Sequence, residues 1–121
     1  MKLTDEAKRD ILNFVLERVA NIANKEYQKR IWIRGEGPEV DDFDETACHF
    51  LHEGGGVLEE YKEFGITESQ YYLLKSLRDE FQAFSNKNNW PQDFIDTPEW
   101  GKIMNLAKEV LKAFHYQKQQ G

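Results

Sequence analysis

Residues 66–84 read ITESQYYLLKSLRDEFQAF, and they decide the fold class. Thr67 stands where an N-cap belongs, Gln70 three positions on completes a capping box, and Ile66 can staple onto Tyr71 across the first turn. Leu74, Leu77, Phe81 and Phe84 then recur at three- and four-residue spacing, which is the apolar stripe of an amphipathic helix. The next five residues, Ser85-Asn86-Lys87-Asn88-Asn89, break that period with turn formers. Further on, Trp90-Pro91-Gln92-Asp93-Phe94-Ile95 predicts a turn or a single turn of helix. Thr97 caps a last helix with Pro98 at its first position. Trp100, Ile103, Met104, Ala107, Val110, Leu111 and Phe114 give that helix one apolar face, and the tail from residue 117 is expected to fray.

Towards the N-terminus the same signals repeat. Thr4 is a good N-cap, and Asp5 and Glu6 follow where the helix dipole favours acids. Ala7, Ile11, Leu12, Phe14, Val15, Val19, Ile22 and Ala23 keep a helical period, and Leu16 and Tyr27 widen the arc enough to face more than one neighbour. Ile31-Trp32-Ile33 either continues this helix or runs extended. Gly35, Gly37 and Pro38 end any helix there. Asp42 with Glu45 reads as a second capping box, opening a short helix to about Glu53 with Phe43, Ala47, Phe50 and Leu51 inward. Gly54-Gly55-Gly56 is read as a hinge, followed by another short helix that closes at Gly65. No window alternates like a strand, and no internal repeat is present. The expectation is an all-α fold: one helical domain over residues 1–121, a compact helical bundle of three long and two short helices with no substantial sheet.

Composition agrees. A chain of 121 residues, 40% hydrophobic, with three Trp, five Tyr and eight Phe can bury a core without staples, and that many rings argue against disorder. One cysteine, Cys48, makes no internal disulfide and suits a reducing compartment. There is no signal-like segment and no apolar run near the ~20 residues of a membrane span, so a cytoplasmic bacterial protein is expected. The net charge of −6 is unevenly placed. Residues 35–68 carry one Lys/Arg against eleven Asp/Glu, a field that repels nucleic-acid phosphate and anionic lipid and attracts a basic protein.

That charge is densest within residues 35–56, GEGPEVDDFDETACHFLHEGGG. Glu36, Glu39, Asp41, Asp42, Asp44 and Glu45 fail as a calcium loop: counting from Asp42, Asp44 and Glu53 fall at positions three and twelve, but Ala47 stands where the sharp turn needs glycine. Two readings stay open for these six carboxylates, ordinary solubilising charge before a helix start or a docking edge for a cationic protein. Glu45, His49 and His52 fall within about a sixth of a turn on the helical wheel and form the alternative candidate, a divalent-metal site in a helical enzyme or sensor. Their order is neither HExxH nor HxxEH, and zinc wants a fourth ligand. Cys48 is expected to be a small semi-buried side chain, since no third group orients a histidine towards it. The triple glycine is no phosphate loop, because no Lys-Ser/Thr follows it. Tyr71, Tyr72 and Trp90 are either core or contact, and core is the commoner fate of aromatic residues.

Three segments, DDFDE (residues 41–45), YKEFGITESQYYLLKSLRDEF (61–81) and FIDTPEWGKIM (94–104), resemble small bacterial proteins associated with the immunity proteins of contact-dependent and other polymorphic toxin systems. The resemblance implies a non-enzymatic cytoplasmic protein that binds one toxin domain, often a basic nuclease, and blocks it. It carries over no residue roles. The reading taken forward is a non-enzymatic inhibitor or adaptor for a basic protein, without cofactor, nucleic acid or membrane.

Overall fold

The side chain of Thr67 accepts a hydrogen bond from the Gln70 amide while the Gln70 side chain accepts from the Thr67 amide, so the predicted capping box starts a helix of 18 residues, Glu68–Ser85. The computed structural model that shows this describes residues 3–38 and 41–116. Its elements, in order, are α1 (Asp5–Ala23), α2 (Lys25–Tyr27), a π-helical stretch (Gln28–Ile33), α3 (Phe43–Glu59), α4 (Glu68–Ser85), α5 (Pro91–Phe94) and α6 (Pro98–Ala113). No strand occurs among the described residues, and the all-α expectation holds. No helix among them is long and apolar enough to cross a membrane.

Each long helix begins on the cap the sequence announces. Thr4 accepts from the Ala7 amide at 3.0 Å, Asp42 from the Glu45 amide at 2.7 Å, and Thr97 from the Trp100 amide at 3.3 Å. α1 ends at Asn24, whose extended backbone stops the helix and whose side chain caps α2 through the Tyr27 amide. α1 packs against α3 and α6, and α4 packs against the same two helices. α4 and α6 run antiparallel: Gln70 at the start of α4 donates to the Ala113 carbonyl, and Phe84 near its end stacks on Trp100.

Ile31-Trp32-Ile33 is neither extended nor ordinary α-helix. It lies in the π-helical stretch, and Gln28, Ile31 and Trp32 are buried there. In an α-helix, residues five apart diverge by about 140°, and the wider i→i+5 turn narrows that divergence. Tyr27 and Trp32 therefore face the same way, and both side chains donate to Asp41 Oδ2.

One boundary is corrected. The two short helices expected on either side of Gly54-Gly55-Gly56 are a single helix, α3, which runs through all three glycines to Glu59. Each glycine costs roughly 1 kcal/mol of helix propensity relative to alanine, but Phe50, Val57 and Leu58 on the two sides are buried in the core and hold the segment helical by packing. Gly54 lies against the core, where a methyl group would meet Phe50 Cε1 at 3.6 Å, an ordinary contact. The chain turns only later, at Gly65, whose φ of +70° suits glycine.

The core is centred on Trp100, fully buried on α6. Its ring contacts those of Trp32, Phe43, Phe81, Phe84 and Phe94, with centroids 4.8 to 6.2 Å apart. Its indole N–H donates to Oε1 of buried Gln28 at 2.9 Å, and Gln28 Nε2 donates to the carbonyls of Asn21 and Ile22 at 2.9 and 2.8 Å.

A continuous α3 has a simple consequence. A methyl group at Gly55 or Gly56 meets nothing within 4 Å, so Gly55→Ala and Gly56→Ala should each stabilise the protein by about 0.5–1 kcal/mol, read as a higher urea midpoint at unchanged m-value. A lower midpoint for both would mean that the helix breaks at the glycines.

Candidate functional site

Of the six carboxylates of the acidic stretch, those at described positions do not form one surface of equivalent charges. Asp41 is turned inward and is only partly exposed. Its Oδ2 accepts from the Tyr27 hydroxyl at 2.7 Å, from Trp32 Nε1 at 3.0 Å and from Thr46 Oγ1 at 2.8 Å. Thr46 is fully buried on the first turns of α3, while Tyr27 and Trp32 are brought into register by the π-helical turn. Asp41 is thus the clasp between the end of the first helical segment and the start of α3. Hydrogen bonds to an ionised acceptor contribute roughly 1.5–3 kcal/mol each.

Asp42 is the N-cap of α3, so one of its oxygens is committed to backbone. Glu36 pairs with the Arg34 guanidinium at 3.2 Å in solvent, a contact of small energy, and its carbonyl accepts from Arg30. Glu39 lies outside the described residues. Asp44 and Glu45, on the first turn of α3, are exposed and enter no ion pair among the described residues. Two carboxylates thus serve the fold, while Asp44 and Glu45 are displayed.

The alternative metal set separates. Among the described residues no three His, Cys, Asp or Glu side chains come together in a way that could hold a metal ion. His49 stands edge-on to Phe14, with ring centroids 5.4 Å apart, and the Arg18 guanidinium covers the same Phe14 ring at 4.4 Å. His52 instead meets Glu53, Nδ1 to Oε1 at 3.1 Å. Helical spacing placed Glu45, His49 and His52 on one face, but neighbours on α1 and α3 engage the two imidazoles separately. Cys48 is exposed rather than semi-buried.

Asp79, Asp96 and Tyr116 have shifted ionisation, each with a local cause. Hydrogen bonds from Arg78 and then Lys75 hold the Asp79 carboxyl below its usual range, and Lys25 does the same to Asp96. Burial, with the nearby Glu17 charge, pushes the Tyr116 hydroxyl up. All three follow from ordinary ion pairs or burial and converge on no cleft.

Beside the displayed acids lies a shallow groove of about 320 Å³, lined by Trp32, Ile33, Asp42, Phe43, Asp44 and the segment from Asn89 to Gln92. Trp90, in that segment, is 64% exposed, and Tyr72 is 63% exposed at the other end of α4, so both are surface rather than core. Neither belongs to an apolar stripe, and Trp90 falls after a run of turn formers and directly before a proline. Those features were the available sign that it stands apart from the core.

Comparison with family models, with curated proteins and with solved structures finds no match to this chain.

Division of labour among the carboxylates is measurable in the free protein. Asp41→Asn should cost about 2 kcal/mol, because the amide oxygen turned to the three donors now on Oδ2 is a weaker acceptor than a carboxylate, and an amide nitrogen takes the place of Oδ1, whereas Asp44→Asn and Glu45→Gln should each cost less than about 1 kcal/mol, the ordinary value of an acid in a first helical turn. Equal effects at the three positions in chemical denaturation would contradict the clasp.

Proposed function

We propose that this chain is a non-enzymatic, cytoplasmic binder of a basic protein, which it inhibits or sequesters in the manner of an immunity protein. The observation that carries this reading is the display of Asp44 and Glu45 on a rigid, capped helix end, within a third of the chain whose net charge is −10. Charge of one sign fixed on a helix steers a cationic partner into contact and raises the association rate more than the final affinity. The carboxylates would stand where the partner otherwise holds phosphate or another acidic ligand. Among the described positions no three His, Cys, Asp or Glu side chains come together to hold a metal ion, which favours binding over the metal-dependent alternative at Glu45, His49 and His52.

Not every acid in the stretch is a sound probe of docking. Replacing Asp41 or Asp42 by lysine removes the clasp or the α3 cap, so lost binding would report lost structure. The double variant Asp44→Lys/Glu45→Lys keeps both. With a basic partner isolated on the wild-type chain, this variant should slow association by roughly tenfold or more at low salt, and the difference should shrink as salt rises through physiological ionic strength. Stopped-flow association measured at two ionic strengths checks this. Unchanged rates in a folded double variant would contradict the proposal.

A further inference from the structure

Of the three tryptophans in the chain, Trp32 and Trp100 are 8% and 0% exposed and Trp90 is 64% exposed. The backbone of Trp90 is extended, φ −117° and ψ 104°, as a residue before proline is driven to be. Pro91 behind it is buried and begins α5. An indole on an anchored backbone offers a large contact area at low conformational cost, and tryptophan is enriched among the residues that dominate protein–protein binding energy. Ile33, 38% exposed at the end of the π-helical stretch, lines the same groove.

Charge decides what such a groove can accept. Asp42 and Asp44 line it together with Asn89 and Gln92, and no Lys or Arg does. An apolar partner helix would strip water from two carboxylates and return no partner, at a substantial cost. A second copy of a chain with net charge −6 brings further repulsion. A cationic side chain with an aliphatic stem satisfies both halves of the groove. Arginine does so better than lysine, because its planar guanidinium stacks on an indole face and still presents forked donors to a carboxylate.

Building on the proposed binding of a basic protein, we infer that the groove between Trp90, Ile33 and Asp44 is the seat of an arginine of that partner. The guanidinium lies over Trp90 within reach of the acids, and an aliphatic neighbour in the partner segment rests on Ile33. Trp90 is therefore the energetic anchor, and the acidic rim selects the sign of charge.

The test is a titration of the full ¹⁵N-labelled chain with the capped peptide acetyl-Ala-Arg-Leu-Arg-Leu-Ala-amide and with counterparts carrying Lys or Glu in place of Arg. The Arg peptide should move the Trp90 indole resonance saturably, the Lys peptide should bind a few-fold more weakly, and the Glu peptide should leave the resonance in place. Trp90→Ala, at an exposed position, and Asp44→Asn should each weaken the Arg peptide by about tenfold, the size of one desolvated cation–π or charge-pair contact. Equal binding of all three peptides overturns the inference. Shifts confined to the amides of Asp44 and Glu45, with Trp90 unmoved, overturn the arginine seat and leave the acidic edge standing. No shift with any cationic peptide removes both. A Trp90 shift on dilution of the free protein would make a second copy the occupant and would also overturn it.

Discussion

Gln28 joins two parts of the chain that are 72 residues apart in sequence, through a single amide. An indole N–H only donates and backbone carbonyls only accept, so the Gln28 side chain has one satisfying orientation: oxygen towards Trp100 and nitrogen towards the end of α1. The carbonyls of Asn21 and Ile22 belong to the last turn of α1, where helix termini leave acceptors without intrahelical partners. One buried amide therefore satisfies the end of α1 and fixes the tilt of the Trp100 ring. Because five aromatic rings from the π-helical stretch, α3, α4 and α5 pack on that indole, its placement governs how the helices meet. Loss of the amide would take from the Trp100 N–H and the Ile22 carbonyl the partner they have here, each costing on the order of 1–3 kcal/mol, while the Asn21 carbonyl would keep the Asn24 amide.

A second polar contact depends on the first. Trp32 lies four residues after Gln28 and packs on Trp100, and its own N–H reaches Asp41. The π-helical turn that buries Gln28 also aligns Tyr27 with Trp32, so the same backbone distortion serves both contacts. Asp41 then sets where α3 begins, and Asp42 caps it. Asp44 and Glu45 are displayed as a consequence of where that cap falls, so the surface proposed for docking is positioned by the core.

Legibility in the sequence followed the range of the interaction. Thr4, Thr67 and Thr97 were readable as caps because each bond closes over three residues. The stripes of α4 and α6 were readable because a helical period is local. The triple glycine was misread as a hinge because α3 is held there by Phe50, Val57 and Leu58 packing on other helices, which overrides local propensity. Asp41 was indistinguishable from its neighbours in a charge run, since its partners Tyr27 and Trp32 lie fourteen and nine residues away and share a face only through a π-helical turn. Helical spacing alone grouped Glu45, His49 and His52, but it carries no information about Phe14, which arrives from α1.

The three indole N–H groups have three environments: that of Trp100 is bound to Gln28 in the core, that of Trp32 is bound to Asp41 at the clasp, and that of Trp90, on a side chain 64% exposed, makes no hydrogen bond among the described residues. Hydrogen exchange of the three indole N–H groups in the free, folded protein tests this most directly. The Trp100 proton should exchange only through global unfolding, the Trp32 proton should be strongly protected, and the Trp90 proton should exchange at the rate of a solvated indole. A Trp100 proton as fast as that of Trp90, or a protected Trp90 proton in the free monomer, would contradict it.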